Sequence, residues 1–249
     1  MDEDEAEVTC DRILDRRLTL RQAAKGYRAG ADAALLAAAC DASAGERVLE
    51  AGCGVGAVLL AAAWRRPGAS FVGIERDPAM LRLAQENVRA NGFGHRIALR
   101  AGDVGTGLPP GLAGFDAALA NPPFFDDPAR LRAPHPAKTG AWIAEDGLGA
   151  WLDLLLKALR RGGSLTLVHR ADRLADVLTW LGGKAGALQV RAVHPYADVP
   201  AKRVLVRAVK EAKAPLQLLT PLVLHERGGA KHTDEAEAIL RGRADLPWR

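Results

Sequence analysis

The stretch Arg47-Val-Leu-Glu-Ala-Gly-Cys-Gly-Val-Gly-Ala-Val-Leu-Leu60 decides the fold. Its first five residues are predicted to form a buried strand, and the apolar residues from Val55 to Arg66 are predicted to form a helix. Glycines between the two elements let the backbone approach a ligand closely, because no Cβ atom stands in the way. The stretch therefore predicts an α/β fold that binds a nucleotide-type cofactor at its first strand-to-helix turn.

Short apolar strands alternate with amphipathic helices from Arg47 to about His169, which predicts a parallel sheet with helices on both faces. The predicted strands are 47–51, 70–75, 97–101, 115–120 and 164–169, and the predicted helices are 55–66, 78–90, 148–159 and 174–181. Segments 189–195 and 203–209 are predicted to close the sheet as an antiparallel pair. We interpret 47–211 as the core of a single structural domain, with extensions at 1–46 and 212–249 packed on it.

Composition and charge restrict the classes of protein. The acidic start, Asp2 to Glu7, does not resemble an export signal, and the apolar stretches are shorter than the roughly 20 residues of a membrane span. We therefore expect a soluble, cytoplasmic protein. The three cysteines form no CxxC pair, which predicts reduced thiols and no metal site. Without the five acids of the first seven residues, 34 basic residues face 25 acidic ones, a balance that suits a polyanionic partner.

Three acidic residues at strand ends indicate which cofactor is bound. Glu75 ends the second strand, nineteen residues after Gly56, where a carboxylate can accept both hydroxyls of a ribose. Asp103 follows the third strand and can accept a hydrogen bond from an adenine amino group. Glu50 ends the first strand, where its charge would attract the ammonium of S-adenosylmethionine but repel the pyrophosphate of a dinucleotide. The charge favours S-adenosylmethionine.

The tetrapeptide Asn121-Pro-Pro-Phe124 directly follows the fourth strand. An exocyclic amino nitrogen is a poor nucleophile because its lone pair is delocalised into the ring. If the side-chain oxygen of Asn121 and the carbonyl of Pro122 accept its two N–H groups, the lone pair is directed at the methyl group. Phe124 offers a flat face for a planar base. We predict Asn121, Pro122 and Phe124 as the catalytic residues of methyl transfer to an amino nitrogen.

Three further stretches carry a family likeness: Gly26-Tyr-Arg-Ala-Gly-Ala-Asp-Ala-Ala-Leu-Leu36, Pro200-Ala-Lys-Arg-Val-Leu205 and Pro221-Leu-Val-Leu-His225. Together with the glycine loop, the acidic residues and the tetrapeptide, they resemble the class I N-methyltransferases. More narrowly, the chain is similar to the bacterial tRNA adenine N6-methyltransferases that modify a valine tRNA beside its anticodon. The likeness extends over nearly the whole chain.

The resemblance implies a Rossmann-like, mostly parallel seven-stranded sheet with an antiparallel seventh strand and helices on both faces. It implies S-adenosylmethionine as the cofactor and tRNA as the partner, and it adds Tyr27 and Asp32 to the cofactor site. The full set of expected cofactor-binding residues is Tyr27, Asp32, Glu50, Gly52, Cys53, Gly54, Gly56, Glu75, Arg76, Asp103 and Asn121.

Basic residues near the tetrapeptide and in the closing pair are candidates for contacts with RNA phosphates. They are Arg130, Arg132, His135, Lys138, Lys202 and Arg203. We interpret His169, Arg170, Trp151 and Trp180 as packing or surface residues. The sequence leaves a monomer and a dimer equally open.

Five alternatives remain at this point, of which DNA adenine methylation is disfavoured because the sequence shows no inserted recognition domain. Protein glutamine methyltransferases use the same Asn-Pro-Pro-aromatic chemistry, although they usually carry a helical domain first, and RNA guanine N2-methyltransferases are a further possibility. A nicotinamide oxidoreductase would explain the glycine loop but not the tetrapeptide. An RNA-binding protein with a vestigial cofactor site is the non-enzyme alternative.

Overall fold

The computed structural model describes residues 7–25, 28–123, 147–228 and 230–249. Six α-helices and ten strands lie in these ranges. The strands are β1 (Val8–Ile13), β2 (Leu18–Ala23), β3 (Arg47–Ala51), β4 (Ser70–Glu75), β5 (Ile97–Ala101), β6 (Phe115–Ala120), β7 (Leu159–Arg170), β8 (Ala185–His194), β9 (Arg203–Lys210) and β10 (Gln217–Val223). The helices are α1 (Ala31–Ala38), α2 (Ala57–Arg65), α3 (Pro78–Ala90), α4 (Gly147–Ala158), α5 (Leu174–Leu181) and α6 (Asp234–Leu240).

The main sheet has eight strands in the order β10-β8-β9-β7-β6-β3-β4-β5. Strands β3 to β7 pair in parallel, whereas β9 lies antiparallel to both β7 and β8. Counted from β3, strand β9 is the seventh strand of the core. The sheet therefore confirms the predicted Rossmann-like class, including its antiparallel seventh strand and the closing pair β8–β9.

Helices cover both faces of this sheet, as predicted. Leu35, Leu36 and Leu60 of α1 and α2 belong to one buried cluster. Leu152 and Leu155 of α4, with residues of α5, belong to a second cluster on the other face. Because α1 and α2 are rich in alanine, they lie close to each other and to the sheet. None of the helices in the described ranges combines the length and apolar character that crossing a bilayer requires.

Strand β10 is an addition to the predicted seven strands. It pairs in parallel with β8 at the edge of the sheet, and its register shifts between Leu219 and Leu222. Pro221 lies inside this shift. Proline has no N–H for a ladder and is tolerated in edge strands and irregularities, which explains why the sequence pattern did not reveal a strand here. Leu218 of this edge strand is 76% exposed.

The segment 18–22 lies in β2, which pairs with β1 in a separate two-stranded hairpin. Asn87 in α3 and Asn91, which caps the end of α3, bind this hairpin in place of a neighbouring strand. Asn87 accepts a hydrogen bond from the Arg21 amide (2.8 Å) and donates one to the Arg21 carbonyl (2.8 Å). Asn91 makes the same pair of bonds with Thr19 (2.9 and 2.7 Å). The amide side chains thereby satisfy backbone groups that would otherwise form an open edge.

Strand β7 begins earlier than predicted. The strand was predicted over 164–169, after a helix over 148–159, whereas β7 extends from Leu159 to Arg170. The glycines at 162 and 163 lie within a register shift between the pairs Phe115–Leu159 and Ala117–Ser164. A Cβ atom at Gly163 would stand 3.0 Å from three backbone carbonyl oxygens, so glycine is accommodated as part of an irregular strand.

Candidate cofactor and catalytic site

The carboxyl ends of β3, β4 and β6 meet at one edge of the sheet. Ala51, the last residue of β3, pairs with Ile74 on one side and with Ala120 on the other. Gly52 and Asn121 each follow directly on these strands, so the glycine loop and the tetrapeptide leave the sheet side by side. This is the edge at which open α/β sheets bind their ligands.

The glycine loop has a conformation that side chains rarely adopt. Gly52 and Gly54 have φ values of 63° and 53°, both in the left-handed region. A Cβ atom at Gly52 would stand 2.3 Å from the Trp151 ring, whereas a Cβ at Gly54 would meet nothing within 4 Å among the described residues. Gly52 is therefore required by the packing of the protein itself. Gly54 faces open space in which a ligand can approach the backbone.

Glu75, at the end of β4, holds the loop in this shape. One carboxylate oxygen accepts a hydrogen bond from the Gly54 amide (2.8 Å), and the other accepts one from the Asp77 amide (2.9 Å). Asp77 in turn caps α3 by accepting from the amides of Ala79 (2.7 Å) and Met80 (3.2 Å). A single carboxylate thus connects the loop after β3 with the start of α3, and its remaining lone pairs can bind a ligand.

Glu50 lies beneath the loop and is 2% exposed. Its Oε2 atom is buried without a hydrogen-bond partner among the described residues. Burial raises the pKa of this carboxyl well above its usual range, and the nearby charge of Glu75 raises it further. A buried acid in this state is stabilised by any cation that enters the site.

Asn121 and Pro122 follow β6 without an intervening residue. Pro122 is buried and Asn121 is partly buried, so neither is a freely solvated loop residue. Because two prolines follow it, the backbone at this position has little freedom and offers no amide N–H at 122 or 123. The segment presents acceptors at the same edge as the glycine loop.

Two ion pairs connect predicted site residues that lie on different elements of the fold. Arg76 Nη1 lies 3.9 Å from Asp103 Oδ2, across the ends of β4 and β5. Arg203 donates from Nε to Asp32 Oδ2 at 3.0 Å, which ties the start of β9 to the first turn of α1. Arg203, which we expected to contact RNA, is thus engaged by a residue expected to line the cofactor site. Lys202 beside it is exposed.

Several predicted site residues lie outside the described ranges. These are Tyr27 of the cofactor site, Phe124 of the tetrapeptide, and the basic residues Arg130, Arg132, His135 and Lys138. Of the expected RNA contacts, the structure describes Lys202 and Arg203.

A comparison with protein families identifies the chain. The family model described as a methyltransferase domain matches residues 42–171, just over half of the chain. The chain belongs to this family. The matched region begins just before β3 and ends just after β7, so it contains the glycine loop, Glu75 and the tetrapeptide.

Two kinds of curated relative are about a third identical to this methyltransferase over the aligned residues. One is the tRNA1(Val) (adenine(37)-N6)-methyltransferase of Actinobacillus succinogenes, 32% identical over 147 residues, which are 59% of this chain and 62% of the relative. The other is the release factor glutamine methyltransferase of Caulobacter vibrioides, 32% identical over 157 residues, which are 59% of this chain and 52% of the relative. The chain therefore spans between about half and three fifths of the length of these relatives. The likeness to the tRNA-modifying group noted from the sequence is confirmed over about three fifths of the chain, and a second group stands beside it.

The solved structures agree with this assignment. A crystal structure described as a predicted O-methyltransferase from Agrobacterium tumefaciens superposes with a TM-score of 0.73 at 27% sequence identity. The match covers 87% of this chain and 98% of that one. The structural match therefore extends beyond residues 42–171.

The site fits the cofactor expected from the sequence, S-adenosylmethionine. The unpartnered oxygen of Glu50 lies where a cationic ligand group would be stabilised, and the open space at Gly54 leaves room for a ligand against the backbone. Glu75 keeps acceptor capacity beyond its two loop contacts. These features match three parts of S-adenosylmethionine: the ammonium, the part of the molecule that passes over the glycines, and the ribose.

Cofactor binding is expected to release a proton. In the free methyltransferase the raised pKa of Glu50 favours the protonated form, whereas a neighbouring ammonium favours the ionised form. The dissociation constant should therefore fall as the pH rises towards the pKa of Glu50 in the free protein and level off above it. Calorimetry in two buffers of different ionisation enthalpy measures the released proton. Equal binding heats in both buffers would contradict this role, and Glu50→Gln is the control that should abolish the difference.

Alanine substitutions at two glycines should separate packing from ligand binding. Gly52→Ala combines backbone strain with a clash against Trp151, so the free energy of unfolding should fall by about 2–5 kcal/mol. Gly54→Ala brings strain alone, about 1–2 kcal/mol, but its Cβ enters the space left for the cofactor. Urea unfolding and cofactor titration of both variants test this difference. Equal losses of stability in Gly52→Ala and Gly54→Ala would show that the contact with Trp151 is not the reason why position 52 requires glycine.

Two residues at the site have roles that the sequence did not reveal. Trp151 was interpreted as a packing or surface residue and is buried, but the sequence gave no sign that its partner is Gly52 of the glycine loop. Cys53 was expected to contact the cofactor, yet its side chain is buried and its backbone serves the loop itself. Its amide donates to the Ile74 carbonyl (3.0 Å) and its carbonyl accepts from Gly56 (2.8 Å). Burial also raises the pKa of its thiol well above the usual range, which keeps it neutral.

Proposed function

We propose that this protein is an S-adenosylmethionine-dependent methyltransferase that acts on the exocyclic N6 atom of an adenine in tRNA, beside the anticodon of a valine tRNA. The observation that carries the proposal is the position of Asn121-Pro122 at the end of β6, next to the glycine loop at the end of β3. The relatives named for tRNA adenine methylation support the choice of acceptor.

Asn121 and Pro122 would act on the acceptor nitrogen. The amide oxygen of Asn121 and the carbonyl of Pro122 each accept one N–H of the amino group, which draws the nitrogen towards tetrahedral geometry. Its lone pair then projects out of the ring plane and can attack the methyl group. Fixed acceptors of this kind need no reorganisation during the reaction, and loss of one typically costs about 10²–10³ in rate.

S-adenosylmethionine, when bound, supplies a methyl group on a positively charged sulfur. Glu50 would hold the ammonium of its methionine part, and Glu75 the ribose hydroxyls. Asp103, paired with Arg76, would accept from the adenine amino group. These contacts fix the direction of approach, and alignment of the reacting atoms supplies much of the remaining rate.

The acceptors at this edge favour an amino group over a hydroxyl. A hydroxyl must lose its proton to become a good nucleophile, so its methylation needs a base. Asn121 and the Pro122 carbonyl are neutral and accept hydrogen bonds without taking the proton away. An amine becomes acidic after transfer and can release its proton to water. The site therefore suits N-methylation, although the Agrobacterium protein is described as a predicted O-methyltransferase.

A protein glutamine is the second candidate acceptor, because release factor glutamine methyltransferases are equally similar to this chain. A side-chain amide presents a planar NH₂ that the same acceptors can bind. We favour tRNA because the match covers more of the length of the relatives named for tRNA adenine methylation (62% and 66%) than of the glutamine methyltransferases (52% and 58%).

Two valine tRNA transcripts and a release factor test the choice of acceptor. The protein should methylate the natural transcript and leave unlabelled the one in which adenine 37 is replaced by guanine. Methylation of both transcripts would show that the methylated nucleotide is not adenine 37. Methylation of the release factor with no label in either RNA would establish the glutamine alternative.

A further inference from the structure

A stack of four side chains lies beyond the ends of β8 and β10. Arg227 packs over the Tyr196 ring at 4.7 Å from its centroid. Tyr196 lies next to His225, with ring centroids 5.5 Å apart, and His225 stacks on His232 at 4.9 Å. We call Arg227, Tyr196, His225 and His232 the ring stack. The methyl-transfer chemistry proposed above uses none of them.

The ring stack occupies the same edge of the sheet as Asn121. Strand β8 runs parallel to β7 across β9, and β10 runs parallel to β8, so all three end at the edge where β6 ends. From β6 to β8 there are three strand intervals and from β6 to β10 four, which is about 14 to 19 Å at ~4.8 Å each. That span matches about four to six stacked nucleotides of a single strand at ~3.4 Å each.

The backbone beneath the ring stack is fixed before any ligand arrives. The amides of Leu224 and His225 donate to the carbonyls of His194 (2.8 Å) and Pro195 (2.9 Å), which extends the β8–β10 pairing beyond both strands. The His194 ring binds the Val199 carbonyl at 2.8 Å, and the His225 ring binds the Lys231 carbonyl at 2.7 Å. A rigid surface loses less conformational entropy on binding than a mobile loop does.

Lys202, beside the ring stack, offers a cation to a phosphate backbone that passes over stacked bases, whereas the charge of Arg227 is paired with Asp198. The Arg227 side chain is 64% exposed, and Asp198 holds its guanidinium over Tyr196 through two hydrogen bonds of 3.2 Å. Lys202 lies in the loop between β8 and β9, where its backbone amide binds the Val193 carbonyl (3.1 Å) and its side chain is exposed. Lys202 has no acidic partner in the described part of the chain. Guanidinium planes and aromatic rings are the groups on which unpaired RNA bases stack.

We propose that the ring stack, with Lys202, is the surface on which the single-stranded RNA flanking the target nucleotide docks. This inference rests on the proposed function, because it takes RNA as the acceptor. Arg227 is the outer member of the ring stack and carries one flanking base on its exposed face, while Tyr196 and the two histidines hold it in place. Lys202 binds a phosphate between this base and the nucleotide at Asn121.

Direct binding of a fluorescent anticodon stem-loop tests the proposal without requiring turnover. Arg227→Gln should raise the dissociation constant of the stem-loop about tenfold, because one base loses its stacking partner. Tyr196→Leu keeps an apolar side chain but removes the ring that supports Arg227, and it should weaken binding to a similar extent. Lys202→Ala should weaken binding less and reduce its dependence on salt. None of the three should change the affinity for S-adenosylmethionine.

Arg161→Ala is the matched control. Arg161 lies near the other end of β7, its side chain is 86% exposed, and it pairs with Glu211, so it is a surface arginine far from the ring stack. The proposal would be overturned if stem-loop affinity is unchanged in both Arg227→Gln and Tyr196→Leu, or if Arg161→Ala loses as much affinity as they do. Methylation of tRNA by the wild type would in either case still support the proposed function. If the wild type labels a release factor and no RNA, both proposals fail.

Discussion

Asn121→Ala is expected to lower kcat by about 10²-fold or more while the dissociation constant for S-adenosylmethionine changes little. The substitution removes one of two fixed acceptors for the amino group, so the nitrogen lone pair stays delocalised in the ring for more of the reaction. The loss should therefore appear in the transfer step and not in cofactor binding. Single-turnover measurements at saturating cofactor and RNA separate the two.

A conservative variant tests whether the position of this acceptor is what counts. Asn121→Gln retains the amide but moves it by one methylene, and misplacement by about 1 Å can cost 10² in rate. We expect a loss close to that of Asn121→Ala. Normal turnover in the alanine variant would refute the role of Asn121, and thermal unfolding of both variants shows whether the fold is intact.

Glu75→Ala is expected to raise the dissociation constant for S-adenosylmethionine by about 10²-fold or more. Hydrogen bonds to charged groups contribute about 1.5–3 kcal/mol each, and Glu75 makes two, to the amides of Gly54 and Asp77. Without them the glycine loop loses its fixed shape, and the proposed contact with the ribose is lost as well. Calorimetric titration with the cofactor measures the change directly.

Asp77→Ala is the matched control for Glu75→Ala. It removes the side-chain cap of α3, which costs about 1 kcal/mol of stability, but it leaves both amides bound to Glu75. Cofactor affinity should stay close to that of the wild type. If Glu75→Ala binds S-adenosylmethionine as tightly as Asp77→Ala does, the carboxylate does not organise the cofactor site.

Local pattern was sufficient to predict the parallel core. Strands β3 to β6 and helices α3 and α5 have the predicted bounds, because buried strands and amphipathic helices have distinct periods and their ends are marked by glycine, proline and capping residues. Strand β10 was not predicted, since Pro221 and its position at the edge of the sheet weaken the pattern. The early start of β7 was hidden by two glycines that usually end an element.

The candidate site was predicted at the level of positions and not of contacts. The glycines, Glu75 and Asn121 could be assigned to strand ends because their spacing follows from the parallel sheet. The packing of Trp151 on Gly52, and the ion pair between Asp32 and Arg203, join residues about 100 and 171 positions apart in the chain. Contacts of this kind follow from the tertiary arrangement, for which no local pattern gives a signal.

The most direct test of the central claim is the identity of the methylated product. The protein is incubated with S-adenosylmethionine carrying a labelled methyl group and total unmodified tRNA, and the RNA is digested to nucleosides. We predict that the label appears in N6-methyladenosine from a valine tRNA. Label in N2-methylguanosine, or label in protein with none in RNA, would contradict the proposed transfer to an adenine amino group.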